Sequence, residues 1–312
     1  MSDKPASIQR RQLIRPARIV GVQENYQQRL ESLLAVDEGI AEIVAALRRS
    51  GELDRTLILF TSDNGFFHGE HRVPAGKVFV YEPSIRVPLI MRGPGVPAGE
   101  RRGQLVTNAD LAPTILDVAG ARAERTQDGR SLFPLLRDRG RQWGRDLLIE
   151  GGDGGGASFD ALRTYRYLYA EYSTGERELY DLRTDPDELQ SLHANPFYQP
   201  LIHRLSLRLA SLRNCRGRDC RARPRLAVRV RPRHRCAQRL LRARVIGSGS
   251  DHVERAGFYL KGRRVASDDE APFFGRVPLR RVRPGHPFRL RVKLVTDDGR
   301  ILTVDQRSRR CI

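Results

Sequence analysis

TLILFTSDNGFFHGEH, residues 56–71, decides how this chain is read. Its opening Leu57-Ile58-Leu59-Phe60 is a compact apolar run of the length and composition of a strand buried on both faces. Behind it a short loop gathers two carboxylates (Asp63, Glu70), an amide (Asn64) and two imidazoles (His68, His71). In an open α/β sheet, chemistry collects just beyond the carboxyl ends of the strands, and this loop occupies such a place. Asp63 offers a carboxylate and Asn64 an amide carbonyl, both hard oxygen donors suited to Ca²⁺ or Mg²⁺, while Gly65 lets the backbone turn sharply enough to aim both at one point. Calcium takes six to eight oxygens, so other segments must contribute. Taken alone, the Asp-Asn-Gly tripeptide reads more readily as a plain turn.

Working outward, Leu30, Leu33, Leu34, Ile40, Ile43, Val44 and Leu47 recur at helical spacing from Tyr26 onward, and Ser50-Gly51 supplies a stop. Downstream, Val87-Pro88-Leu89-Ile90-Met91 predicts a second buried strand before the turn at Gly93-Pro94-Gly95. A helix is expected from about Asp110, as N-cap, with Pro113 in its first turn, to Gly120. This order predicts an α/β layer on a mainly parallel, doubly wound sheet over residues 1–121. Residues 122–213 turn to short polar strands and predict a small α+β subdomain. Its Gly-rich EGGDGGG (150–156) has neither the Lys-Ser/Thr nor the leading buried strand of a phosphate loop, and reads as a flexible connection. Residues 214–312 alternate, with Leu226, Val228 and Val230 set against Arg229 and Arg231, and Leu290, Val292 and Leu294 against Arg289, Arg291 and Lys293; Asp298-Gly299 is a hairpin signal. That pattern predicts a C-terminal all-β sandwich of immunoglobulin-like type.

The net charge of +19 sits almost wholly in this last segment, which holds 27 Lys and Arg against 9 Asp and Glu. A basic domain suits a polyanion or, more plainly, a solvated strand surface. Aromatic residues do not interleave with the basic ones as stacking on nucleic acid requires. Lysine is scarce, at positions 4, 77, 261 and 293 only, which singles out each one. All four cysteines (Cys215, Cys220, Cys236, Cys311) also lie here, spaced poorly for zinc, and suggest two disulfides and an oxidising compartment. Three pairings are open; the local pair Cys215–Cys220 with Cys236–Cys311 is expected. No segment has the roughly 20 apolar residues of a membrane span, and the first thirty residues lack the apolar stretch of a signal peptide.

The segment GFFHGEHRVPAGKVFVYEPSIRVPLIMRGPGV resembles the part of the sulfatase family, within the alkaline-phosphatase superfamily, that carries its last metal ligands and a sulfate-binding lysine. The likeness continues through VTNADLAPTILDVAG, DGRSLFPLL and ELYDLRTDPDEL, covers roughly residues 24–192, and identifies the chain as a member of that family. The resemblance implies that Asp63 and Asn64 are calcium ligands and that Lys77 binds an oxygen of the substrate sulfate. An ammonium beside a divalent cation would stabilise the sulfate oxygens as the S–O bond breaks. His71 matches a position near the family's site from which an imidazole could protonate the leaving alkoxide, and His68 is a weaker candidate for substrate contact; holding a loop is an equally good role for either.

The family's nucleophile, a formylglycine made within Cys/Ser-x-Pro/Ala-x-Arg, has no counterpart here. Cys220-Arg221-Ala222-Arg223-Pro224 begins correctly but has proline where arginine is needed. The early Asp-Asp pair and an upstream histidine of the family are also missing. The expectation is therefore a C-terminal portion of a sulfatase, inactive alone, from a truncated or mis-called gene whose front half and leader lie upstream; the parent family is usually exported, periplasmic or extracellular. The expected partner is a sulfated small molecule or polysaccharide. Two alternatives stand beside this reading: a phosphodiesterase or phosphonate hydrolase of the same superfamily, and a non-catalytic module holding polyanions through the basic tail. Oligomeric state and the particular ester are silent in the sequence.

Overall fold

The computed structural model describes residues 2–139, 141, 143–152, 157–221, 228–232, 236–237, 239–247, 253–269, 272–296 and 301–311. The chain divides into two compact units, residues 1–141 with 147–221, and residues 142–146 with 222–312.

In the first unit, α1 (Ala6–Gln9) precedes a 34-residue helix α2 (Pro16–Arg49). Helix α2 starts ten residues earlier than the apolar spacing predicts, because Pro16 at its first position presets the helical φ. It ends at Ser50, followed by Gly51 at φ 73°. Strands β1 (Ile58–Thr61) and β2 (Leu89–Arg92) form a two-stranded sheet that is antiparallel, with Ile58 opposite Arg92 and Thr61 opposite Leu89. This corrects the expected parallel layer, and the double burial too, since both strands are only partly covered and Ile90 is 62% exposed. An apolar run reports that a strand wants two covered faces and says nothing about the direction of its neighbour.

Between them lies α3 (Glu82–Ile85), and after them α4 (Leu111–Val118) and α5 (Phe133–Arg137). Asp110 stands at the N-cap of α4 as expected, but its side chain serves the preceding turn, in a capping box with Thr107, and does not cap α4 itself.

A four-stranded antiparallel meander follows: β3 (Leu147–Gly152), β4 (Ser158–Arg163), β5 (Tyr167–Tyr172) and β6 (Arg177–Asp181), hydrogen-bonded in that order. Glu150, Gly151 and Gly152, expected in a flexible connection, extend β3; residues 153–156 of that stretch lie outside the described residues. One face of the sheet packs on α6 (Gln199–Arg213) through Leu201, Ile202, Leu205, Leu209 and Leu212, a stripe at helical spacing. Arg213 ties the helix back to the sheet through Asp160 and Glu171 at 2.6 and 2.9 Å. The opposite face, with Phe159, Leu168, Tyr172 and Tyr180, receives Ile8 and the aromatic residues Phe67, Phe79 and Tyr81 of the loop between β1 and β2. The candidate site loop is thus anchored on a rigid sheet. Cys215–Cys220 forms the expected local disulfide just after α6.

The second unit contains β7 (Val228–Pro232), β8 (Cys236–Ala237), β9 (Leu240–Gly247), β10 (Val253–Leu260), β11 (Arg263–Asp268), β12 (Phe274–Pro278), β13 (Pro287–Thr296) and β14 (Ile301–Arg310). They make two sheets, ordered β11-β10-β13-β14-β8 and β12-β9-β7. Leu241, Ala243, Val245 and Val277 from the small sheet share one core with Phe258, Leu290, Val292 and Leu294 from the large one. This is a two-sheet sandwich in which alternate residues of β12 and β13 point inward, as the alternation requires. Leu226, the Asp298-Gly299 turn and the side chains of Val228, Val230 and Cys236 lie outside the described residues; Cys311 is disulfide-bonded.

Candidate functional site

One backbone bridge folds the loop behind β1 onto itself. The Phe67 N–H donates to the Gly76 carbonyl at 2.8 Å, and Phe67 is fully buried against Phe79 and Tyr81. Residues 64 and 77 therefore emerge at the same open end. There the Lys77 ammonium donates to the Asn64 amide oxygen at 3.0 Å and lies 3.8 Å from Asp63 Oδ2. The Asn64 amide group donates to the Gly65 carbonyl at 2.9 Å, which turns its oxygen toward Lys77. The Asn64 N–H donates to Asp63 Oδ1 at 2.9 Å, which fixes the carboxylate beside it.

Gly65 is required by close approach. A Cβ there would stand 2.0 Å from the Pro83 carbonyl oxygen, and the Gly65 N–H donates to the Ser84 carbonyl at 2.8 Å. Ser84 Oγ accepts from the Val78 N–H at 3.0 Å, so the short helix α3 supports both limbs of the loop. An ion pair from Arg163 to Glu82 at 2.7 Å fastens α3 to β4.

Three residues expected to act together thus converge: Asp63, Asn64 and Lys77. With the Asp63 side chain 80% and that of Lys77 50% exposed, their attraction adds at most about 1 kcal/mol to stability. The arrangement has chemical meaning instead. A positive charge rests between a carboxylate and an amide oxygen, the donors that a hard divalent cation prefers. They fit Ca²⁺ or Mg²⁺ in kind but not in number. Among the described residues no set of three or more His, Cys, Asp or Glu side chains is disposed to hold a metal.

The two histidines do not join this group. His71, at φ 51°, stacks on Tyr81 with ring centroids 3.9 Å apart and lies edge-on to Phe67. Burial, with the Lys4 ammonium nearby, holds its pKa down to about 4, so the ring is neutral at pH 7 and accepts hydrogen bonds more readily than it delivers a proton. His68 meets Tyr26 edge-on at 4.9 Å and Phe66 at 5.1 Å; burial and Arg29, itself over the Phe66 ring, lower its pKa.

Sequence reasoning missed a buried polar cluster behind His71. Glu178 accepts hydrogen bonds from the hydroxyls of Tyr81 at 2.9 Å, Tyr172 at 2.6 Å and Tyr180. The buried Lys4 ammonium donates to the Tyr180 hydroxyl at 2.6 Å and to the Glu188 carbonyl. Desolvation raises the carboxyl pKa of Glu178 and the hydroxyl pKa values of Tyr81 and Tyr180, lowers the pKa of Lys4, and lifts Glu188 to about 8. The rarity of lysine had marked position 4, but no local pattern announced carboxylates on β6 and beyond it, because the cluster is assembled across distant segments.

Comparison with known proteins places this geometry. Residues 3–121 match the family model described as sulfatase, and residues 69–215 that described as N-sulphoglucosamine sulphohydrolase, C-terminal. The chain is similar to the N-acetylglucosamine-6-sulfatase of Homo sapiens, 34% identical over 232 residues, covering 63% of this chain and 42% of the human protein. It is also similar to a solved protein in complex with its substrate D-glucosamine-2-N,6-O-disulfate, at 33% identity and a TM-score of 0.53, covering 57% of this chain and 38% of that one. A phosphonate monoester hydrolase of Agrobacterium radiobacter is similar at 29% identity and a TM-score of 0.51, over 57% of this chain and 39% of its own. The chain therefore spans about four-tenths of the length of these relatives.

Proposed function

This chain belongs to the sulfatase family, matched over residues 3–215, and we propose that its loop behind β1 is one wall of a site that hydrolyses a sulfate monoester. The observation that carries the reading is the convergence of Lys77 with the Asn64 amide oxygen and the Asp63 carboxylate. In that site Asp63 and Asn64 would hold Ca²⁺, whose charge polarises the bound sulfate. Lys77 would turn from Asn64 to a sulfate oxygen, holding an anion whose charge grows on the ester oxygen as the S–O bond breaks. Tyr81, fixed by Glu178, would keep His71 in place as a neutral wall of the pocket. The kinship with N-acetylglucosamine-6-sulfatase and with the glucosamine disulfate complex supports a sulfated amino sugar as the substrate class. The disulfide at Cys215–Cys220 supports residence in an oxidising compartment outside the cytosol. No helix among the described residues is long and apolar enough to cross a membrane. We likewise read the second unit as an immunoglobulin-like sandwich, on the strength of its two antiparallel sheets over one core.

Since the sequence has no Cys/Ser-x-Pro/Ala-x-Arg motif, turnover by this chain alone should be slight. Binding is therefore the better test. Thermal melting with added Ca²⁺, and with an aryl sulfate in the presence of Ca²⁺, should show stabilisation by both. Asp63→Ala should abolish the Ca²⁺ response, and Lys77→Met the sulfate response alone. Identical responses from all three proteins would remove the site, and turnover within about tenfold of a complete sulfatase would remove the prediction of slight activity. Likeness to the phosphonate monoester hydrolase favours one second reading, a phosphate or phosphonate ester. Competition decides it, since a methylphosphonate ester that displaces aryl sulfate more strongly than sulfate esters do would select that branch.

A further inference from the structure

The outward face of the β12-β9-β7 sheet carries an unusual charge pattern. Arg229 and Arg231 on β7, Arg242 and Arg244 on β9, and Arg276 on β12 are all exposed and share this face with Phe274, which is 51% exposed. Register sets Arg231 directly opposite Arg244, and Arg242 directly opposite Arg276. Like charges facing one another across strands are destabilising, so something must compensate two such pairs in adjacent rows. Among the described residues no carboxylate does. None of the five guanidiniums has an ion-pair partner there, and the interaction made by Arg244 is with the Phe274 ring at 5.4 Å. Asp268 and Asp269, the acids nearest β12 in sequence, stand at and just past the end of β11, where Asp268 accepts from the backbone N–H of Phe274.

The other sheet relieves part of the same problem internally. Asp305 on β14 lies opposite Arg291 and receives both Arg291, at 3.0 Å, and Arg289. On the large sheet Arg307, directly opposite Arg289, keeps no ion-pair partner among the described residues, but Arg289 itself is neutralised; on the small sheet neither member of either facing pair meets a carboxylate there. The small sheet also has the relief to be neutralised from outside, an open hollow of about 610 Å³ lined by Arg231, Arg242, Arg244, Ile246, Phe274 and Arg276. Neighbouring strands stand about 4.8 Å apart, and alternate residues along a strand about 6.7 Å, so the guanidiniums form a lattice with charges every few ångströms. That spacing suits a polymer with repeated anionic groups better than a single small anion. Guanidinium pairs geometrically with tetrahedral oxyanions, while one aromatic face beside them offers a platform for a sugar ring. A nucleic-acid strand would call for several stacking aromatics, and Phe274 is alone on this face.

We propose that this arginine face binds a sulfated polysaccharide chain, holding polymer on the second unit as a site separate from the loop behind β1. The basic face rests on geometry alone; the choice of a sulfated glycan rests on the sulfatase reading above. The experiment measures affinity rather than hydrolysis, so the two can fail separately. Full-length protein is titrated with size-defined heparin fragments at increasing salt, alongside hyaluronan, a single-stranded DNA oligonucleotide and phosphatidylserine vesicles. Two variants lose the same charge: Arg231→Ser/Arg242→Ser/Arg244→Ser/Arg276→Ser on the small sheet, and Arg255→Ser/Arg264→Ser/Arg307→Ser/Arg309→Ser on the large one. The first should weaken heparin binding about tenfold or more at physiological salt and flatten its salt dependence, and the second should change it by less than about twofold. If the first melts abnormally, Arg242→Ser/Arg276→Ser replaces it, with about a threefold loss expected. Equal losses from both sheets, or no heparin binding by the unaltered protein, would overturn the face as a site. Tighter binding of DNA or vesicles than of heparin through the same arginines would overturn the glycan. Heparin binding by a protein whose melting does not respond to Ca²⁺ or aryl sulfate would count against the hydrolytic reading only.

Discussion

At the scale of single residues, the most consequential group is Glu188, which no motif predicts. It is fully buried, its Oε2 accepts from the Glu82 N–H at 2.8 Å, and its Oε1 has no partner among the described residues. An ionised carboxylate with one bare buried oxygen is costly, and burial lifts the pKa to about 8. Between about pH 4.5 and 8 the folded protein keeps this proton while the unfolded chain releases it, so the contribution to stability falls as pH rises and levels off above 8. His71 acts in the opposite sense, since a pKa held near 4 makes stability rise with pH between about 4 and 6.5. The two effects oppose each other in mild acid, and above 6.5 Glu188 acts in the same sense as the buried Glu178, whose pKa is also raised. Urea denaturation at pH 6.5, 7.5 and 8.5 should show decreasing stability in the native sequence. Glu188→Gln, an uncharged mimic of the protonated acid, should lessen the decrease and gain on the order of a few kcal/mol at pH 8.5. Parallel pH curves for the two proteins would mean that the carboxyl is ionised throughout.

At the scale of elements, the candidate site is a property of the loop between β1 and β2 and of what braces it. Asp63, Asn64 and Lys77 were legible as a group through the resemblance to the sulfatase segment; the strand end, the turn tripeptide and the rare lysine that mark them singly are local signals. Their meeting depends on the Phe67–Gly76 bridge and on the approach of Gly65 to Pro83, which are not. The resemblance put His71 near the group with holding a loop as an equal role; its left-handed backbone turns the ring onto Tyr81, and the conformation of one residue is invisible to periodicity. The antiparallel pairing of β1 with β2 was likewise beyond reach, whereas the inward alternation of β13 was read directly from its period. The bracing argument makes its own prediction. Gly65→Ala forces the loop away from Pro83, so it should cost about 1–3 kcal/mol in denaturation and separate Asn64 from Lys77. The Ca²⁺-dependent melting shift should then disappear although every proposed ligand is intact. A variant that keeps the shift would show that the site tolerates a displaced loop.

At the scale of the whole molecule, chemistry and charge are divided. The segment up to residue 213 is nearly neutral and holds the oxygen donors and buried acids, while the net charge of residues 214–312 is +18. Alternation and the count of arginines reveal this division without coordinates. What the sequence cannot reveal is which apolar surface remains uncovered. Helix α2, about 50 Å long, has no buried residue, and Tyr26, Leu30, Leu33 and Leu34 are 49%, 47%, 48% and 63% exposed along one stripe. Periodicity identified that stripe as a face to be covered, since it records a demand for burial but not the surface that meets it. A contiguous apolar stripe in water drives association and binds apolar probes. The protein should therefore enhance the fluorescence of an anilinonaphthalene dye and sediment as larger species as its concentration rises. Leu30→Gln/Leu33→Gln/Leu34→Gln keeps helix propensity nearly constant while removing the apolar surface, so it isolates the stripe from the helix. Dye binding and self-association should both fall markedly, with helical content by circular dichroism unchanged. If both persist at their original level, the adhesive surface lies elsewhere and α2 is held in water by its own backbone hydrogen bonds and by its contacts with Phe66 and His68.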